Sequence, residues 1–125
     1  MNQEWLKVRN FHQQFGHPIS DKPVTLSKER ARIRSEWMYE EIDEFVNAAD
    51  IVEQVDAMID VIYFALGTMV EMGISPDAIF DIVHEANMSK LWSDGKPHFN
   101  PDGKTIKPEN WVDPYSKIKS EIESK

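Results

Sequence analysis

Asp50–Gly73 reads DIVEQVDAMIDVIYFALGTMVEMG, and this stretch decides the fold. Asp50-Ile51-Val52-Glu53 has the form of a capping box, an acceptor at the N-cap and a carboxylate three residues on. Gly73 offers the left-handed residue that commonly ends a helix, so a helix is predicted from the cap to Met72. Between Met58 and Leu66 it is apolar on every side except at Asp60, as expected of the central helix of a bundle. A carboxylate buried there without compensation costs several kcal/mol or takes up a proton. Asp60 therefore needs a partner: a metal, a histidine, or an arginine such as Arg32 or Arg34.

Upstream, a helix is predicted from about Leu26 to Ala48, with Ile33, Trp37, Phe45 and Ala48 among its apolar positions. The short link to Asp50 makes the two helices an antiparallel hairpin. A first helix, about Gln3 to Phe15, sets Trp5, Val8, Phe11, His12 and Phe15 on one stripe and stops at Gly16 and Pro18. Ser75-Pro76 opens a fourth helix that reaches about Lys90. Beyond Leu91 the text turns to DGKPHFNPDGKTIKPENW, rich in turn residues and lysine, an ordered loop or a mobile lid. A last short helix fits from about Asp113 to Ile122. The expectation is an all-α fold: one domain over residues 1–125, a four-helix bundle with an irregular, lysine-containing tail over 91–125.

The chain carries a net charge of −8 and no cysteine. The first excludes a general binder of nucleic-acid polymers, which needs a basic footprint. The second leaves oxygen and imidazole as the metal ligands. No apolar run approaches the roughly 20 residues of a membrane span, and MNQEWLKVRN is too polar for a signal peptide. A cytoplasmic protein with no membrane partner is expected. Charge is also unevenly spread: between Arg34 and Lys90 there are 13 Asp or Glu and no Lys or Arg. Solvated helices usually mix signs to gain i,i+4 pairs, so a cation from outside the sequence is the expected balance.

The acids of the second helix, Glu36, Glu40, Glu41, Asp43 and Glu44, are closely spaced, and Glu40, Glu41 and Glu44 share a face within one turn. On the third helix Asp56 and Asp60 are four apart, with Glu53 a turn earlier. Folding the hairpin about residue 48 sets Glu41 opposite about position 55 and Glu36 opposite Asp60, so the acidic faces converge. An EEIDE run is often no more than a solvated face; Asp60 and the missing bases favour a metal. All-oxygen ligation suits Mg²⁺, with Mn²⁺ as an alternative, and Mg²⁺ completes its shell with water and phosphate. His12 and His84 read as packing residues.

These residues resemble the all-alpha NTP pyrophosphohydrolase superfamily, the group of MazG and the dimeric dUTPases, whose signature is E-x-x-E on one helix and E-x-x-D on the next. Glu41-Ile42-Asp43-Glu44, preceded by Glu40, matches the first half. FHQQFG, DVIYFALG, VHEANMSKL and DGKTIKPENW also look like the MazG-like and dUTPase-like branch. The second half departs: Ala57 stands three before Asp60, and Asp56 four before it. Glu53-x-x-Asp56 fits literally but leaves Asp60 unexplained, so Asp56 with Asp60 is preferred.

The resemblance implies hydrolysis of a nucleoside triphosphate to monophosphate and pyrophosphate, with dUTP or a non-canonical nucleotide as substrate. It implies Glu41, Glu44, Asp60 and Asp56 as metal ligands, and Glu40 as a ligand or the base that orients water. Asn87 and Lys90 would contact the nucleotide, Lys104 and Lys107 would close over the phosphates, and the protein would be a dimer or a tetramer of dimers. Phosphoribosyl-ATP pyrophosphohydrolysis is the sister chemistry. A non-catalytic acidic helical module is the reading from a different class.

Overall fold

The computed structural model describes all residues from Met1 to Lys125, and the fold is all-α. Its elements are α1 (Asn2–Phe15), α2 (Lys28–Val46), α3 (Ile51–Met72), α4 (Asp77–Met88), β1 (His98–Phe99), β2 (Thr105–Ile106) and α5 (Tyr115–Glu123). They fall into two compact units, Met1–Pro76 and Asp77–Lys125. Three of the four expected bundle helices form the first; α4 packs on α5 in the second. No single helix is long and apolar enough to cross a membrane.

In the first unit α3 is the common partner of α1 and α2. Its start is fixed as the sequence implies: Asp50 Oδ1 accepts from Glu53 N–H (2.9 Å), and the Glu53 carboxylate reaches back to Ala49 N–H (2.7 Å). It ends at Gly73 in the left-handed region, φ 71°, where a Cβ would collide with the Lys22 carbonyl. That contact holds the α1–α2 connection against the end of α3, with Val24 N–H donating to Met72 O (2.9 Å). Ser27 caps α2 by accepting from Arg30 N–H (3.1 Å).

The core is small: Val8, Leu66 and Val70, with Trp5 and Ile19 packed against them. His12 is buried as a packing residue, and its Nδ1–H donates to Pro18 O (2.8 Å). His84 is exposed, and Phe15, expected on the buried stripe, is 68% exposed. A larger correction concerns Met58–Leu66, expected to be surrounded by protein. Ile59, Ile62 and Tyr63 are exposed, as are Ile42, Phe45, Val46, Ile51, Val52 and Val55 around the hairpin tip. The all-round apolar pattern reflects faces that this chain by itself does not cover.

The other end of α3 carries a buried ion cluster. The Glu71 side chain is 1% exposed and accepts from Arg30 Nε (2.8 Å) and Nη2 (3.0 Å), while Arg34 Nη1 lies 3.0 Å from its Oε2. Arg34, also buried, donates to Phe64 O (2.8 Å) and Thr68 Oγ1 (3.0 Å). The ring of Trp37 lies against both guanidinium groups. Gly67 leaves room for this, since a Cβ there would meet Arg34 Nη2 and His12 Nε2.

Removing one partner of a buried pair strands the other, at about 3–5 kcal/mol. Glu71→Ala is therefore expected to lower unfolding free energy by that order in urea titrations at neutral pH. A loss below about 1 kcal/mol, the level of an exposed pair, would contradict this role.

Candidate metal centre

Glu41 and Glu44 lie on α2, three residues apart, so their side chains leave one face of the helix. Asp60 lies on α3, which packs along α2 more extensively than any other pair of elements. One carboxylate oxygen from each of the three lies within 4.8 Å of the others. The hairpin register differs from the expectation that Glu41 faces position 55. Helical side chains lean toward the N-terminus of their helix. In an antiparallel pair the α2 acids lean away from the connection and Asp60 leans toward it, so Glu41 meets a residue further along α3.

Electrostatics mark the cluster as strained when metal-free. Burial pushes the Glu41 carboxyl up to about 7, helped by its contacts with Glu44 and Asp60 and by their charges. Glu41 Oε2 is buried and has no hydrogen-bond partner. Burial likewise raises Asp60, reinforced by the charges of Asp56 and Glu44. A lone buried carboxylate oxygen beside two further carboxylates is an incomplete polar site. An all-oxygen set with one inner atom lacking a donor fits a hard divalent cation.

The other expected ligands are placed differently. Glu40 and Asp56 are exposed and stand outside the group of three, although Asp56 is near enough to act on Asp60. Glu36 pairs with Arg32 (2.6 Å) and Arg34 with Glu71, so neither arginine neutralises Asp60. Glu53 uses its carboxylate in the cap of α3. An open depression of about 330 Å³ is lined by Glu44, Asn47, Glu53 and Asp56.

The second unit holds the expected nucleotide contacts. Asn87 is exposed on the last turn of α4, and Lys90 follows the helix. The segment after it is a hairpin in which Asn100 Oδ1 accepts from Asp102 and Lys104 N–H. The Trp92 indole stacks on His98 (4.3 Å) and donates to Ile106 O (3.1 Å). Lys104 lies on its exposed turn. The Lys90 and Lys107 ammonium groups lie 5.3 and 5.2 Å from the centre of the Trp111 ring. Sequence reasoning missed Trp111; its place beside the lysine-rich run was the signal. A cavity of about 490 Å³ lies in this unit, between α4 and the segment that leads into α5 with its first turn.

An antiparallel helical hairpin that gathers three carboxylates offers an all-oxygen set of the kind that hard divalent cations take. The family model for phosphoribosyl-ATP pyrophosphohydrolase matches residues 8–87, which contain all three carboxylates. The chain belongs to this family, within the all-alpha, MazG-like NTP pyrophosphohydrolases, and so to the hydrolases that cleave a phosphoanhydride bond of a nucleotide. No curated protein matches the chain.

The raised Glu41 value has a sign that can be tested. The native state keeps a proton that the unfolded chain, titrating near 4.5, has already released. Native stability from this group is thus full below about 4.5 and is lost as pH rises through about 7. In EDTA, Tm is expected to fall more steeply across that window in the wild type than in Glu41→Gln. Equal slopes would contradict the assignment.

Proposed function

We infer that the protein is a Mg²⁺-dependent pyrophosphohydrolase that converts a nucleoside triphosphate to its monophosphate and pyrophosphate, of the MazG-like or dUTPase-like kind. The observation that carries this reading is the orphaned Glu41 oxygen within the Glu41, Glu44 and Asp60 cluster, inside the segment matched by the family. These three residues would hold the metal, with Asp56 and Glu40 available to complete the shell through water. When bound, Mg²⁺ supplies charge stabilisation to the phosphoryl oxygens and lowers the pKa of water.

Glu40 accepts the proton from the attacking water. That water adds to the α-phosphorus as the bond from the α-phosphorus to the oxygen of the β-phosphate breaks, and the electron pair leaves with pyrophosphate. Asn87 and Lys90 contact the nucleotide. Lys104 and Lys107 offset the negative charge of the phosphates. Charge development there is where fixed cations contribute most.

Phosphoribosyl-ATP is a second substrate reading, favoured by membership of the phosphoribosyl-ATP pyrophosphohydrolase family. Residues 88–125, with Lys90, Lys104, Lys107 and both C-terminal tryptophans, lie beyond the matched segment. The exposed apolar face around the hairpin tip supports self-association into a dimer or a tetramer of dimers.

Pyrophosphate release should be measured over a panel of ribo- and deoxynucleoside triphosphates, dUTP and phosphoribosyl-ATP, with Mg²⁺ and with EDTA. Release that needs Mg²⁺ is expected, with kcat lowered by about two orders of magnitude or more in Glu41→Gln, Glu44→Gln and Asp60→Asn. Full activity in Asp60→Asn, or in EDTA, would overturn the reading. Light scattering on the purified protein is expected to give at least twice the 14.5 kDa of one chain; a monomer at micromolar concentration would rule out the assembly.

A further inference from the structure

We propose that Trp111 is a positioning residue that holds Lys90 and Lys107 together as a preformed, metal-independent site for a polyphosphate. The two lysines come from different segments, one just after α4 and one just after β2. Both ammonium groups nevertheless lie within 5.3 Å of the same ring centre. Like charges converge in this way only where something attracts both, and the negative faces of an indole do so.

The indole is itself fixed. Its Nε1–H donates to Ala86 O (2.8 Å) and lies 3.0 Å from Ser89 Oγ, at the end of the helix that carries Asn87. Trp111 N–H donates to Pro108 O (3.1 Å), which folds the Lys107 segment back on the ring. Neither ammonium is within ion-pair distance of a carboxylate. Other lysines are also without an acid, Lys104 among them, but only Lys90 and Lys107 share an aromatic ring. Asp113, close in sequence, is turned to Tyr115 N–H (2.7 Å).

Two cations gathered on one ring without counter-ions offer a site for an anion that spreads charge over adjacent phosphoryl groups. Inorganic pyrophosphate is the smallest such anion. The cavity beside the indole is lined by Ser89, Asn110 and Lys117, with Glu85 and Asp113 as its acids, and neither Lys90 nor Lys107 lines it. The pair stands ready in the free protein, and Trp111 decides its geometry. Its part in turnover rests on the nucleotide reading above; its binding of pyrophosphate does not.

The test is calorimetric titration of inorganic pyrophosphate into the full chain in EDTA. Binding is expected in the wild type and, unchanged, in Glu41→Gln and Lys119→Ala. Trp111→Leu should weaken it about tenfold or more, Trp111→Phe, which keeps a ring, should retain most of it, and Lys90→Met with Lys107→Met should abolish it. In turnover Trp111→Leu should raise KM with kcat nearly unchanged. Should Trp111→Leu fail to fold, Trp111→Phe and the double lysine variant carry the test. Binding that requires Mg²⁺, or that survives loss of both lysines or of the ring, overturns the proposal; if Mg²⁺-dependent hydrolysis persists then, the proposed function stands. Pyrophosphate binding without hydrolysis of any nucleotide would instead support this site and overturn that function.

Discussion

The buried contact of Glu71 with Arg30 and Arg34 sets the register of the α2–α3 hairpin, and the carboxylate cluster depends on that register. Arg30 and Glu41 are eleven residues apart on α2, and so are Asp60 and Glu71 on α3. Two antiparallel helices with the same rise per residue carry an alignment made at one end to the other, here over about 16 Å. Pinning Glu71 to Arg30 thus brings Asp60 to the level of Glu41. Burying three charges is costly in itself, and hydrophobic replacements are often no less stable. The ion cluster therefore makes its main contribution through specificity: sliding either helix by one turn would leave Glu71 and its arginines unpaired and draw the acids at the other end apart.

The two ends of the hairpin are electrostatic opposites. At the Glu71 end, two arginines from α2 satisfy one carboxylate from α3, so every buried carboxylate oxygen there has a partner from the chain itself. At the Asp60 end, three carboxylates approach with no base among them, and the balance is left open. Burial, reinforced by the like charges of the neighbouring acids, pushes Glu41 up to about 7 and raises Asp60 as well. A cation bound between the three acids would relieve the same strain that raises these carboxyls.

Local signals were the legible ones. The cap at Asp50, the stop at Gly73 and the breaks at Gly16 and Ser75-Pro76 each lie within a few residues of the observed boundaries, because caps are decided by neighbours in sequence. Asp60 was legible as a residue in need of a partner, since an acid inside an apolar run is unusual in itself. The depth of its surroundings was not, because an apolar face does not say whether its own chain or another covers it. Which acid pairs with which base was equally hidden. Arg34 was a candidate partner for Asp60, yet it binds Glu71, an acid that the apolar end of α3 made inconspicuous. Trp111 was missed for a similar reason: its role arises from segments separated by about two elements, and no periodicity records such a meeting.

The central claim is that Glu41, Glu44 and Asp60 together hold a divalent cation. Its most direct test is a titration of Mn²⁺ followed by electron paramagnetic resonance, which counts free ion without requiring a substrate or turnover. The account predicts saturable loss of the free Mn²⁺ signal with wild-type protein, reversed by excess Mg²⁺, and little loss with Asp60→Asn or Glu44→Gln. Unchanged free Mn²⁺ with folded wild-type protein, or equal binding by the variants, would contradict it.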